Sequence, residues 1–200
     1  MAENPWAFGW THLLSILQII VTVVIAFFGF QTFRKWKREK IEEQRILLAA
    51  DALRLAYQAR PIFDYVRNGA AFDYEAKERP KDPNETPEET RRRDTFFSPI
   101  LRLHKESQYF VDIQSIRPKI MAFFGADKSD FFDGIIKARA NVLVAAQMLS
   151  RENYADQAFS RKLHSEVWKG YVESENDEVG KLIEDSIKKI EDFAQPILRH

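Results

Sequence analysis

The chain has 200 residues with 30 basic and 30 acidic side chains, so it is formally neutral and long enough for one or two domains. It holds no cysteine, which excludes disulfides, thiolate metal sites, iron–sulfur clusters and cysteine nucleophiles. The charge is unevenly placed. No Lys or Arg occurs before Arg34, five bases then crowd into RKWKREK, and the remainder is slightly acidic, which argues against a nucleic-acid surface.

Residues 1–10 read as a short extracytoplasmic N-terminus. From 13 to 30 there is no charged side chain and most positions are aliphatic or Phe. Eighteen residues at about 1.5 Å rise give roughly 27 Å of helix, close to the hydrocarbon thickness of about 30 Å. The expected transmembrane helix covers 11–33. Trp6 and Trp10 at one end and Trp36 at the other suit the headgroup region and read as interface anchors. A cleaved signal peptide needs bases before the apolar core and a small-residue site after it. Here the bases follow the core, so the segment reads as an uncleaved signal-anchor. Arg34, Lys35, Lys37, Arg38 and Lys40 begin a basic juxtamembrane helix over 34–45. By the positive-inside rule they place the rest of the chain in the cytoplasm and the N-terminus outside. The same cations suit anionic lipid headgroups.

Within the span, Thr11, Ser15, Gln18 and Thr22 recur at steps of four, three and four, and the stripe continues to Gly29. Helical geometry gathers them into one seam. Helices in lipid associate through small residues and interhelical hydrogen bonds. Ser and Thr can bond a carbonyl one turn back, whereas the Gln18 amide cannot satisfy itself fully that way. The seam therefore predicts association with a second copy or with another membrane protein.

The cytosolic part, 46–200, has helical periodicity almost throughout and no convincing strand pattern. Ile46, Ala50, Leu53 and Tyr57 make one apolar row, and Leu48, Ala52, Leu55, Ala59 and Phe63 another. Both are expected in a broad buried arc. Pro61 is expected to kink the helix or start a new turn, and Asn68 and Gly69 to end it in left-handed geometry. Residues 70–86 are charged, hold Pro80 and Pro83, and read as an exposed loop. Thr86, Pro87 and Glu89 then form a capping box. Pro99 should break or bend the next helix, and Pro118 should end it or start the short run PKIMAFFG, with Gly125 as a stop. Phe131, Ile135, Ala138, Val142, Ala145 and Leu149 form a core row. Phe159, Leu163, Val167 and Tyr171 form another, and Ile183, Ile187, Ile190, Ala194 and Ile197 a last one. The fold class is all-α: one N-terminal transmembrane helix followed by a cytosolic bundle of about five helices.

Chemistry-bearing motifs are scarce. His104 and His164 lack ligand spacing, and no HExxH, GxGxxG, P-loop or GxSxG pattern occurs. ESENDEVGKLIE imitates a calcium loop but has Glu178 where the sharp turn needs Gly, so it reads as a solvated linker. The run of Arg91, Arg92 and Arg93 is expected to pair locally, as Glu88 with Arg92 and Glu89 with Arg93. No catalytic residue, metal ligand or cofactor is assigned.

The stretches ERPKDPNETPEETRRRD and MAFFGADKSDFFD, behind one N-terminal span and a basic junction, give the chain its likeness. It resembles uncharacterised bacterial inner-membrane proteins with a cytosolic helical domain. The resemblance implies a bacterial inner-membrane location and transfers no catalytic residue. The leading expectation is a non-enzymatic, membrane-anchored interaction or scaffold protein that self-associates. The alternatives are a membrane effector or sensor whose seam responds to the cytosolic domain, and a metal-dependent enzyme using acidic residues.

Overall fold

The computed structural model describes residues 9–70, 72–152 and 154–199. Seven α-helices and no strand occur among them: α1 (Trp10–Val66), α2 (Asp73–Glu78), α3 (Pro87–Lys105), α4 (Ser107–Phe124), α5 (Asp133–Arg151), α6 (Gln157–Val167) and α7 (Glu178–Leu198). The chain divides into two units between Arg45 and Ile46, a point inside α1.

The first unit contains the apolar part of α1. It is the one described helix long and apolar enough to cross a membrane, and none of its most apolar stretch is buried. Leu14, Ile19, Val23, Ile25 and Phe28 are all exposed. A soluble core helix would hide such residues, whereas a lipid-facing helix presents them all round.

The second unit, 46–200, builds its main core from four helices together with Leu103 of α3. Ala52, Leu55 and Phe63 of α1 meet Phe110, Ile113 and Ile120 of α4, Ile135 and Val142 of α5, and Ile183, Ile187 and Ile190 of α7. A smaller core joins Phe96 of α3 to Ala145, Ala146 and Leu149 of α5 and Leu163 and Val167 of α6. Helix α5 contributes to both, because its apolar positions recur at three and four residues along its whole length. Its first turn also comes close to α7. A Cβ on Gly134 would collide with the Leu182 carbonyl oxygen and the Ser186 hydroxyl.

The core rows of α5 and α7 are buried as their spacing predicts, with Ile197 partly exposed at the end of α7. Two expectations are corrected on α1 and α6. Of the two rows on α1 only Leu48, Ala52, Leu55, Ala59 and Phe63 are buried; Ile46, Ala50 and Tyr57 are exposed and Leu53 is half-buried. The bundle covers one side of α1, so an apolar row on its far side stays outside. On α6, Leu163 and Val167 are buried while Phe159 is exposed, and Tyr171 lies beyond the end of the helix and is exposed.

The prolines do not end their helices, which corrects the expected stop at Pro118 and the expected break at Pro99. Helices α1, α3 and α4 run through Pro61, Pro99 and Pro118. A proline removes one N–H and crowds the preceding turn. Here buried residues on both sides, such as Ala59 and Phe63 or Ile116 and Ile120, hold the helix in place. The break falls instead at Glu106, between α3 and α4. Helix α1 ends beside Arg67, near the expected place, but neither Asn68 nor Gly69 is left-handed.

Candidate functional site

The seam lies on α1. Gln18, Thr22 and Gly29 share one stripe of the exposed helix at spacings of four and seven. The Thr22 hydroxyl donates to the Gln18 backbone carbonyl at 2.8 Å, so this polar group is satisfied within its own helix. The Gln18 side-chain amide has no hydrogen-bond partner among the described residues and is exposed. A Cβ placed on Gly29 would meet no atom within 4 Å, so the backbone is open to close approach there. Ser15 is exposed on the same stripe, and the side chain of Thr11 lies outside the described residues.

Of the interface anchors, Trp10 is exposed at the start of α1. Trp36 is exposed beside Phe33, with ring centroids 5.9 Å apart. Trp6 lies outside the described residues. All five juxtamembrane cations are exposed. Lys35 pairs with Glu39 at 3.9 Å and Lys40 with Glu43 at 2.7 Å. Arg34 lies over the Phe30 ring, 5.7 Å from its centroid.

Sequence reasoning missed a set of arginines that fasten the second unit. Arg102, fully buried on α3, donates to the Tyr65, Asn68 and Ala70 carbonyls at 3.2, 2.7 and 2.6 Å, and to both oxygens of Glu75 at 2.6 and 2.7 Å. It thereby ties the last turn of α1, at Tyr65, and the segment that follows it, at Asn68 and Ala70, to α3. Burial pushes the Glu75 carboxyl up, but the Arg102 guanidinium and the Phe72 amide outweigh it and hold it below its ordinary value.

Arg67 works in the same way on α6 and α7. It donates to the Ser165 and Glu166 carbonyls at 2.8 and 3.1 Å and grips Asp177 with two bonds of 2.9 Å. Asp177 also accepts from the Gly180 amide at 3.0 Å and caps α7. Burial raises the Asp177 carboxyl, yet Arg67 and the capping amides bring it below its usual value. Asp177 stands at position five of the calcium-like stretch, so that acid is committed to an internal ion pair.

These contacts correct the reading of 70–86 as an exposed loop. Most of its residues are exposed, but it contains α2, and Glu75 and Arg79 are buried. Arg79 binds Asp94 at 2.6 Å and Glu85 at 2.7 and 2.6 Å. The local arginine pairs are corrected too. Arg92 donates to the Arg151 carbonyl at 2.9 Å at the end of α5, and Arg93 to Glu85 at 3.0 Å. The signal available was weak: Arg102 sits between the apolar Leu101 and Leu103, and nothing local separates a buried arginine from a surface one.

A cavity of about 340 Å³ opens beside Phe63 and Ile183. Its charged lining is mostly paired internally, with Arg60 on Glu184 at 2.7 Å and Lys169 on Asp64 at 2.5 Å. His164 packs as an ordinary core-edge residue: its Nδ1 lies 2.9 Å from the Ser160 carbonyl oxygen and its ring stacks on Tyr171. Among the described residues no group of three acids or histidines converges as metal ligands would. No family model, curated protein or solved structure matches the chain.

Proposed function

We propose that this is a single-pass membrane protein, with its N-terminus outside and its helical domain in the cytoplasm, that works by association rather than catalysis. The bacterial inner membrane is the proposed location. The proposed partner is a second copy, joined through the stripe of Thr11, Ser15, Gln18, Thr22 and Gly29.

One observation carries the reading: the Gln18 side-chain amide has no hydrogen-bond partner among the described residues, in a stretch whose other side chains suit lipid. In hydrocarbon an amide without a partner is costly, and a second Gln18 at the same depth supplies both a donor and an acceptor. Gly29 lets the backbones approach one helical repeat further on. The measurement is self-association of the full chain in a membrane reporter assay, comparing the native sequence with Gln18→Leu. Interhelical bonds of this kind contribute about 0.6–1.7 kcal/mol, so the variant should associate roughly three- to twentyfold less. Equal association would remove the seam.

A further inference from the structure

The helix that follows the apolar segment is charged differently on its two sides. Its three acids after Arg34 are engaged within the helix: Glu39 by Lys35 at 3.9 Å, Glu43 by Lys40 at 2.7 Å and Glu42 by Arg45 at 3.1 Å. Arg34, Lys37 and Arg38 have no carboxylate partner among the described residues and are exposed. They stand at i, i+3 and i+4, so they share one face. At 3.6 residues per turn, Glu39 and Glu43 fall on the opposite side, while Glu42 lies one turn beyond Arg38 on its own side and is paired with Arg45. The Arg34 guanidinium lies over Phe30, which puts charge against the last apolar turn.

We infer that Arg34, Lys37 and Arg38 form a binding face for the phosphates of anionic lipid. The inference rests on the proposed reading that 11–33 spans a bilayer. Two guanidinium forks take phosphate oxygens in pairs, and the Lys37 ammonium adds a point charge beside them. The opposite side, already neutralised by its own carboxylates, has little to offer an anion. A headgroup with two phosphates, such as cardiolipin, fits three cations on one helix face better than one with a single phosphate.

The test uses the full purified chain in phosphatidylcholine vesicles doped with cardiolipin, reading the ratio of the two lipids retained on the protein by native mass spectrometry. Two variants of equal charge are compared, Lys37→Gln with Arg38→Gln, and Lys35→Gln with Lys40→Gln. The first should lower the cardiolipin preference roughly tenfold or more, and the second about twofold at most. Equal losses, no loss, or no preference in the native chain would overturn the inference. Displacement of cardiolipin by inorganic phosphate would assign the face to a free anion and overturn the lipid. Alkaline extraction of the same membranes separates the two levels. A chain released by alkali fails the spanning reading and this inference with it; an embedded chain without lipid preference fails this inference alone.

Discussion

All five N–H groups of Arg102 are used inside the fold, one on the last turn of α1, two on the segment that follows it and two on Glu75. A buried charge is tolerable only when it is paired and bonded this completely. Removing one partner leaves the other uncompensated. Glu75→Gln is therefore expected to cost about 3–5 kcal/mol, read as a lowered denaturation midpoint of the full chain in mild detergent. Replacing both residues with Met should cost less, because no charge is left behind. A single variant as stable as the native chain would show that Glu75 does not balance Arg102.

The carboxylates also set an acid limit. Glu75, Asp177 and Glu184 are held below their ordinary values by Arg102, Arg67 and Arg60 against the opposing effect of burial. A carboxyl whose folded pKa is depressed contributes fully above its unfolded value and loses that contribution as the pH falls through the folded one. Glu166 has the opposite sign. Burial raises it, so acid favours its folded form, but it stands against those three and against Glu85, Glu89 and Asp127, which are lowered chiefly by Arg79, the Thr86 amide and Lys128. The melting temperature should stay nearly level from pH 7 to 5 and fall below about pH 4.5. Asp177→Asn should flatten part of that fall. A melting temperature that rises on acidification would contradict the assignment of these ion pairs.

At the scale of the element, α5 and α7 depend on one close approach. Gly134 belongs to the α5 helix, so glycine is there for space rather than for backbone freedom. Gly134→Ala should destabilise the domain by about 1–3 kcal/mol through overpacking, measurable by chemical denaturation. A neutral effect would show that α7 can move away freely.

The same scale shows what the sequence made legible. Rows such as Ile135, Ala138 and Val142 are buried because three- and four-residue spacing reports one helix face directly. The Thr86 box is realised, with Glu89 donating its amide to the Thr86 hydroxyl at 3.2 Å and accepting in return at 2.9 Å. Periodicity could not tell which of two rows on α1 the bundle would cover. That depends on where α4, α5 and α7 pack, which no local spacing encodes. Pro118 misled as a helix stop for a related reason: intrinsic helix-breaking was outweighed by burial on either side. Least legible were α2 and its buried charges, because Glu75 meets Arg102 across 27 residues of chain.

At the scale of the whole molecule, the chain joins an apolar helix exposed all round to a domain with its own core. The proposed association seam and the proposed lipid face both belong to the first unit. Both were visible as spacing, since polar steps of four and three and a basic run need no tertiary information. That Arg34, Lys37 and Arg38 have no carboxylate partner among the described residues was not, because a sequence does not show which base each glutamate takes. Every functional proposal depends on the apolar helix lying in a bilayer. The most direct measurement is alkaline-carbonate extraction of membranes from cells producing the full chain, followed by immunodetection. The account predicts that the protein stays with the membrane pellet. Quantitative release into the supernatant, in soluble folded form, would contradict it.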